Sequence, residues 1–128
     1  MKRALFSGIF LVTLLCGFFA GAQTANQAKV QAYYFHNQVR CTTCKTVEAE
    51  AKMILSELYG DKVSFQSLNL EDKSAQETAK KLKVSGQTLL VVKGNQKINL
   101  TNEGFLYAVT NPEKLKSVIK EKVDPLVQ

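Results

Sequence analysis

Apolar positions along the chain recur with two periods, and the switches between them lay out its elements. Val30 to His36 (Val-Gln-Ala-Tyr-Tyr-Phe-His) is a strand-length run rich in aromatics, a composition that suits a buried ribbon. From about Thr43 to Tyr59 the period lengthens: Val47, Ala51, Ile54, Leu55 and Leu58 follow the i, i+4, i+7, i+8, i+11 series of an amphipathic helix. Gly60-Asp61 supplies a helix stop, and Lys62 to Leu70 predicts a second strand. Within it Val63 and Phe65 share one parity while Leu68 and Leu70 share the other. Either a bulge intervenes or both faces are covered.

Ser74-Ala75-Gln76-Glu77 fits a capping box opening a helix that buries Ala75, Ala79 and Leu82. Thr88 to Val92 is a continuous apolar run, and Gly94-Asn95 turns it into Gln96 to Leu100 as a hairpin. Glu103 to Val109 reads as a short helix. Asn111-Pro112 then offers an N-cap and a first-turn proline to a last helix with Leu115, Val118, Ile119 and Val123 inward. A crossover helix between the first two strands implies that they run parallel, with helices on both faces of a central sheet. There is no internal repeat or low-complexity segment.

The first residues follow a different logic. Lys2-Arg3, an apolar run from about Leu5 to Phe19, and Ala20-Gly21-Ala22 form the pattern of a secretory signal with an A-x-A cleavage site. Cleavage before Gln23 leaves 106 of the 128 residues, so residues 1–22 are assigned to the signal peptide and 23–128 to one domain. An uncleaved anchor is the alternative, but Ser7 and Gly8 interrupt a run already at the short limit for a span. Acylation at Cys16 would need a small residue where Leu15 stands. Gln23 to Lys29 reads as a polar arm. A domain of this size buries roughly two-thirds of its unfolded surface. The formal net charge of +6 falls to +4 once Lys2 and Arg3 are removed. The remaining charge is spread along the chain with no basic run interleaved with aromatics, which argues against a nucleic-acid partner.

Cleavage also removes Cys16, leaving Cys41 and Cys44 as an isolated C-x-x-C pair. A bridge between residues this close constrains almost nothing in the unfolded chain, so the pair is chemical rather than structural. It stands where the aromatic strand gives way to the first helix. Unpaired N–H groups and the positive dipole end there favour negative charge, and Arg40 and Lys45 flank the motif. Both effects are expected to lower the pKa of Cys41 toward the range of about 3.5 to 7.5 seen in activated cysteines.

The element order with C-x-x-C at the strand-to-helix junction resembles the thioredoxin family over about Lys29 to Val123. The residues that carry it are the aromatic strand before Cys41, Val63 to Asp72, Gln87 to Val92 and the Lys93-Gly94-Asn95 turn. Tyr-Tyr-Phe-His followed by Arg-Cys-x-x-Cys is similar to small exported thioredoxin-like proteins labelled nitrophenyl-compound nitroreductase subunits of the arsenic-operon type. The resemblance implies an α/β thioredoxin-like fold: a central mixed sheet of about four strands with helices on both faces. It also implies three departures. Arg40 replaces the usual Trp before the first Cys, and Thr42-Thr43 replaces Gly-Pro between the cysteines. The family's cis-proline, which precedes a Thr at the start of the third sheet strand, aligns with Gln87 before Thr88. Its buried Asp aligns with Phe35, leaving His36, Glu48 or water for proton transfer.

These readings converge on an exported, periplasmic thiol-disulfide oxidoreductase with no cofactor. Cys41 is expected to attack a partner disulfide and Cys44 to resolve the mixed disulfide. Arg40, His36, Gln87 and Thr88 are the candidate tuning residues. His36, the only histidine, is expected to be a partly exposed strand-end residue rather than a proton shuttle, and Tyr33, Tyr34 and Phe35 to be core and sheet face. The expected partner is an envelope protein or a small disulfide or dithiol, with a membrane electron donor as a further candidate. Two alternatives stay open: capture of a soft metal or metalloid by Cys41 and Cys44, and a non-catalytic scaffold or partner subunit whose cysteines rest as a disulfide.

Overall fold

The computed structural model describes residues 29–128. The expected signal segment, Cys16, the cleavage point before Gln23 and the polar arm up to residue 28 lie outside them. The aromatic run forms β1 (Val30–His36), followed by α1 (Thr42–Tyr59), a 3-10 turn (Gly60–Lys62), β2 (Val63–Asn69) and α2 (Lys73–Leu82). β3 (Thr88–Lys93), β4 (Gln96–Asn99), α3 (Thr101–Tyr107) and α4 (Pro112–Val127) complete the order. Four strands make one mixed sheet in the order β2-β1-β3-β4. β1 runs parallel to β2, from Val30 opposite Val63 to His36 opposite Asn69, and antiparallel to β3. The parallel pair requires a crossover, which α1 supplies.

Two apolar layers cover the sheet. On one face Ala32, Tyr34, Leu89 and Val91 pack with Val47, Ala51, Ile54 and Leu55 of α1 and with Leu115, Ile119 and Val123 of α4. On the other, Tyr33, Phe35, Leu90 and Val92 meet Ala79 of α2, with Leu68, Leu70 and Leu82 alongside. This settles the mixed parity of β2. Its register against β1 is unbroken; Val63 and Phe65 belong to the first layer and Leu68 and Leu70 to the second. Both faces are covered and no bulge is needed.

One predicted boundary is corrected. α2 begins at Lys73 with Asp72 as its cap and no side-chain capping bond, so Ser74 lies inside the first turn. The Asp72 carbonyl already accepts the Gln76 N–H at 2.9 Å, which starts the helix two residues earlier than the proposed Ser74 box. The last helix starts as its sequence predicts: Asn111 accepts the Lys114 N–H and Pro112 occupies the first turn. Gly60 and Gly94 take positive φ at the helix stop and the hairpin turn, conformations that glycine adopts without a Cβ clash.

The upper end of the sheet is pinned from two sides. Leu89 donates its N–H to Thr101 Oγ1 at 2.9 Å, and Thr101 in turn donates to Asn99 Oδ1 at 2.6 Å. These bonds anchor the start of β3 to α3. Phe35 pairs with Thr88, so the segment ahead of β3 is held beside the end of β1, where the chain turns into α1.

Candidate active site at Cys41 and Cys44

Cys41 is the N-cap of α1. Its backbone is extended and its Sγ accepts the Cys44 N–H at 3.2 Å, so the sulfur occupies the place a Ser or Asp oxygen takes in an ordinary cap. Cys41 is exposed, Cys44 is buried, and the two form a disulfide across a Cα–Cα distance of 5.2 Å. No acidic residue lies in the first turn of α1, so nothing there offsets the positive end of the helix.

Arg40 does not stand as a free flanking charge. Its guanidinium pairs with Glu48 Oε2 one turn beyond Cys44, so a carboxylate stands beside the positive charge that flanks the motif. His36 departs from its expected exposure: it is buried at 8% exposure rather than partly exposed. Its Nδ1 lies 2.8 Å from the Asn37 carbonyl oxygen, which can only accept, so Nδ1 carries the hydrogen. No hydrogen bond joins His36 to either cysteine among the described residues. Thr88 Oγ1 donates to the Gly86 carbonyl at 2.9 Å and so shapes the approach to β3.

Gln87 does reach the disulfide. Its Oε1 lies 3.8 Å from Cys44 Sγ, and its Nε2 donates to Tyr34 Oη at 2.6 Å. Tyr34 Oη donates to the Cys44 carbonyl at 3.0 Å, joining β1, α1 and the segment before β3 behind the buried sulfur. Burial pushes the Tyr34 phenol above its ordinary pKa. The Gln87 donor and Arg40 oppose that rise, and Glu48 adds to it. Tyr34 is fully buried, as its core assignment predicts, but its hydroxyl belongs to the site. Its parity was the available signal: Tyr34 shares the face of Ala32, which packs under α1.

Among solved structures the chain is similar to thioredoxin O2 from Arabidopsis thaliana in its oxidised state, with 23% identity and a TM-score of 0.53 over 73% of this chain and 75% of that one. It is also similar to Trxlp from Edwardsiella tarda EIB202, with 18% identity and a TM-score of 0.52 over 73% and 84%. A malaria-parasite thioredoxin-2 gives 19% identity and a TM-score of 0.51 over the same shares. The chain has the thioredoxin fold. No protein-family model and no curated protein matches it. On this thioredoxin fold the position before Thr88 carries Gln87 in a trans chain, since no peptide bond is cis among the described residues. A cleft of about 370 Å³ beside it, between α2 and the segment Val84 to Gly86, reaches Asn37 and Lys80.

Proposed function

We propose that the protein is an exported thiol-disulfide oxidoreductase whose working group is the Cys41–Cys44 pair. The observation that carries this reading is the asymmetry of the disulfide: one sulfur caps a helix in solvent, and the other is buried one turn in. In the reduced protein the Cys41 thiolate attacks a partner disulfide, forms a mixed disulfide and expels one partner thiolate. Cys44 then attacks the Cys41 sulfur, closing the internal disulfide and releasing the second partner thiol. Two electrons pass to the partner and no cofactor is needed. The likeness to nitroreductase-labelled subunits fits this reading as a thiol-bearing subunit, its partner an envelope protein or a small disulfide. The signal pattern ending at Ala22 supports export to the periplasm.

Alkylation of the reduced protein across pH tests the assignment. Cys41 should react first, with a midpoint well under the reference of about 8.5, and Cys44→Ser should trap mixed disulfides that Cys41→Ser does not form. If Cys44 reacts first, the roles are wrong. Intact mass of the secreted product should show a chain starting at Gln23, and retention of residues 1–22 would refute export with cleavage.

A further inference from the structure

The hydrogen bonds behind the disulfide dictate which way the Gln87 amide points. The Cys44 carbonyl can only accept, so the Tyr34 hydroxyl proton is committed to it at 3.0 Å. Tyr34 Oη can then only accept from Gln87, which must present an N–H to it at 2.6 Å. That leaves Gln87 Oε1 facing Cys44 Sγ at 3.8 Å. A carbonyl oxygen beside a sulfur welcomes an S–H donor and repels a thiolate.

We propose that Tyr34 is a positioning residue that locks the Gln87 carbonyl against the buried sulfur, so that reduced Cys44 is held as a thiol and resolution limits exchange. The inference rests on the oxidoreductase reading above. The titratable and charged groups around this corner are Tyr34 and His36 from β1, whose rings lie 6.1 Å apart, and the Arg40–Glu48 pair, which is internally compensated. Exposed Lys45 follows Cys44 in the chain. None of them makes a hydrogen bond to Cys44 Sγ among the described residues. In resolution the Cys44–H bond breaks, the Cys41–Cys44 bond forms and the partner sulfur leaves with the electron pair. The amide oxygen of Gln87 is too weak a base to keep the proton, which passes to the departing partner thiolate.

An aromatic disulfide that releases a coloured thiolate reads the two steps separately by stopped flow. The first equivalent reports attack by Cys41, and the second reports resolution by Cys44. Tyr34→Phe frees the amide to turn an N–H toward the sulfur. A tenfold gain in thiolate, offset by the roughly threefold loss of intrinsic nucleophilicity that accompanies a lower pKa, leaves resolution about threefold faster at neutral pH. The ratio of second to first rate should rise by that factor, and the pH profile of the second phase should move about 1 pH lower. Gln87→Ala, which deletes the acceptor and admits water at a half-buried position, should move both readouts in the same direction and carries the test if Tyr34→Phe does not fold. An unchanged or lower ratio in a folded variant overturns the inference while leaving the oxidoreductase reading intact. Release of fewer than two equivalents by the parent protein overturns both.

Discussion

Glu48→Gln isolates what the Arg40–Glu48 pair does to the exposed sulfur. With side chains 26% and 21% exposed, the pair adds at most about 1 kcal/mol to stability, so the fold should survive the change. The effect on Cys41 is electrostatic. Removing the carboxylate removes its repulsion of a Cys41 thiolate; for a separation on the order of 7 Å and an effective dielectric of roughly 40 to 80, that repulsion is about 0.6 to 1.2 kcal/mol. The midpoint of alkylation should fall by about 0.4 to 0.9 pH. Since nucleophilicity falls with basicity, the rate at pH below the midpoint should rise about two- to threefold, while above it, where Cys41 is already ionised, the rate should fall slightly. Above the midpoint the reduced form carries the thiolate and gains the same energy, so the reduction potential measured there should rise by roughly 10 to 25 mV.

The assay is alkylation of the reduced protein across pH at low ionic strength, repeated at high salt. Screening at about 1 M salt should erase most of the difference. Arg40→Gln, which leaves Glu48 unpaired, should move the midpoint upward, and the double variant should return close to the parent. If Glu48→Gln leaves the low-salt profile unmoved, or both single variants shift it the same way, the pair does not govern the charge at Cys41.

A Cβ built at Gly104 of α3 meets buried Val47 Cγ1 at 3.0 Å and Leu89 Cδ2 at 3.5 Å. Gly104→Val should therefore cost about 1 to 3 kcal/mol, and an unchanged thermal midpoint would show that α3 does not sit that tightly on α1 and β3. Burial raises the Glu103 pKa, but the Lys122 hydrogen bond, a backbone bond and attraction to the ammonium outweigh it and hold the group below its ordinary value. Because the folded value is the lower one, the stabilisation is present above the ordinary carboxylate range and is lost as pH falls through the folded value. Lys122→Met should flatten the fall in stability from about pH 5 to 3 by well under 1 kcal/mol, given the pair's exposure. Parallel denaturation curves for parent and variant across that range would contradict it.

What could be read from the chain and what could not divides along sequence distance. The α1 face, the β3–β4 hairpin, the Asn111-Pro112 start of α4 and the place of the cysteines are local patterns, fixed by spacing within one or two turns. β2 was legible only as two alternatives, because parity says which residues share a face and not what covers it. What the chain did not show is of the same kind. Burial of His36 depends on what packs over the end of β1. The partner of Arg40 is Glu48, eight residues away. The Tyr34–Gln87 bond spans 53 positions, beyond any periodicity.

Under the proposed mechanism the two ends of the disulfide are tuned in opposite senses, and by groups that do not titrate near neutral pH. The exposed sulfur sits at a helix start with no acid in its first turn, which favours a thiolate and rapid attack. The buried sulfur faces an amide oxygen held by a buried phenol, which favours a thiol and slow resolution. A carboxylate in the position of Gln87 could accept the Cys44 proton and speed release, but an amide cannot. The consequence is kinetic: a partner is captured faster than it is discharged. On that mechanism the mixed disulfide accumulates between the two exchange steps.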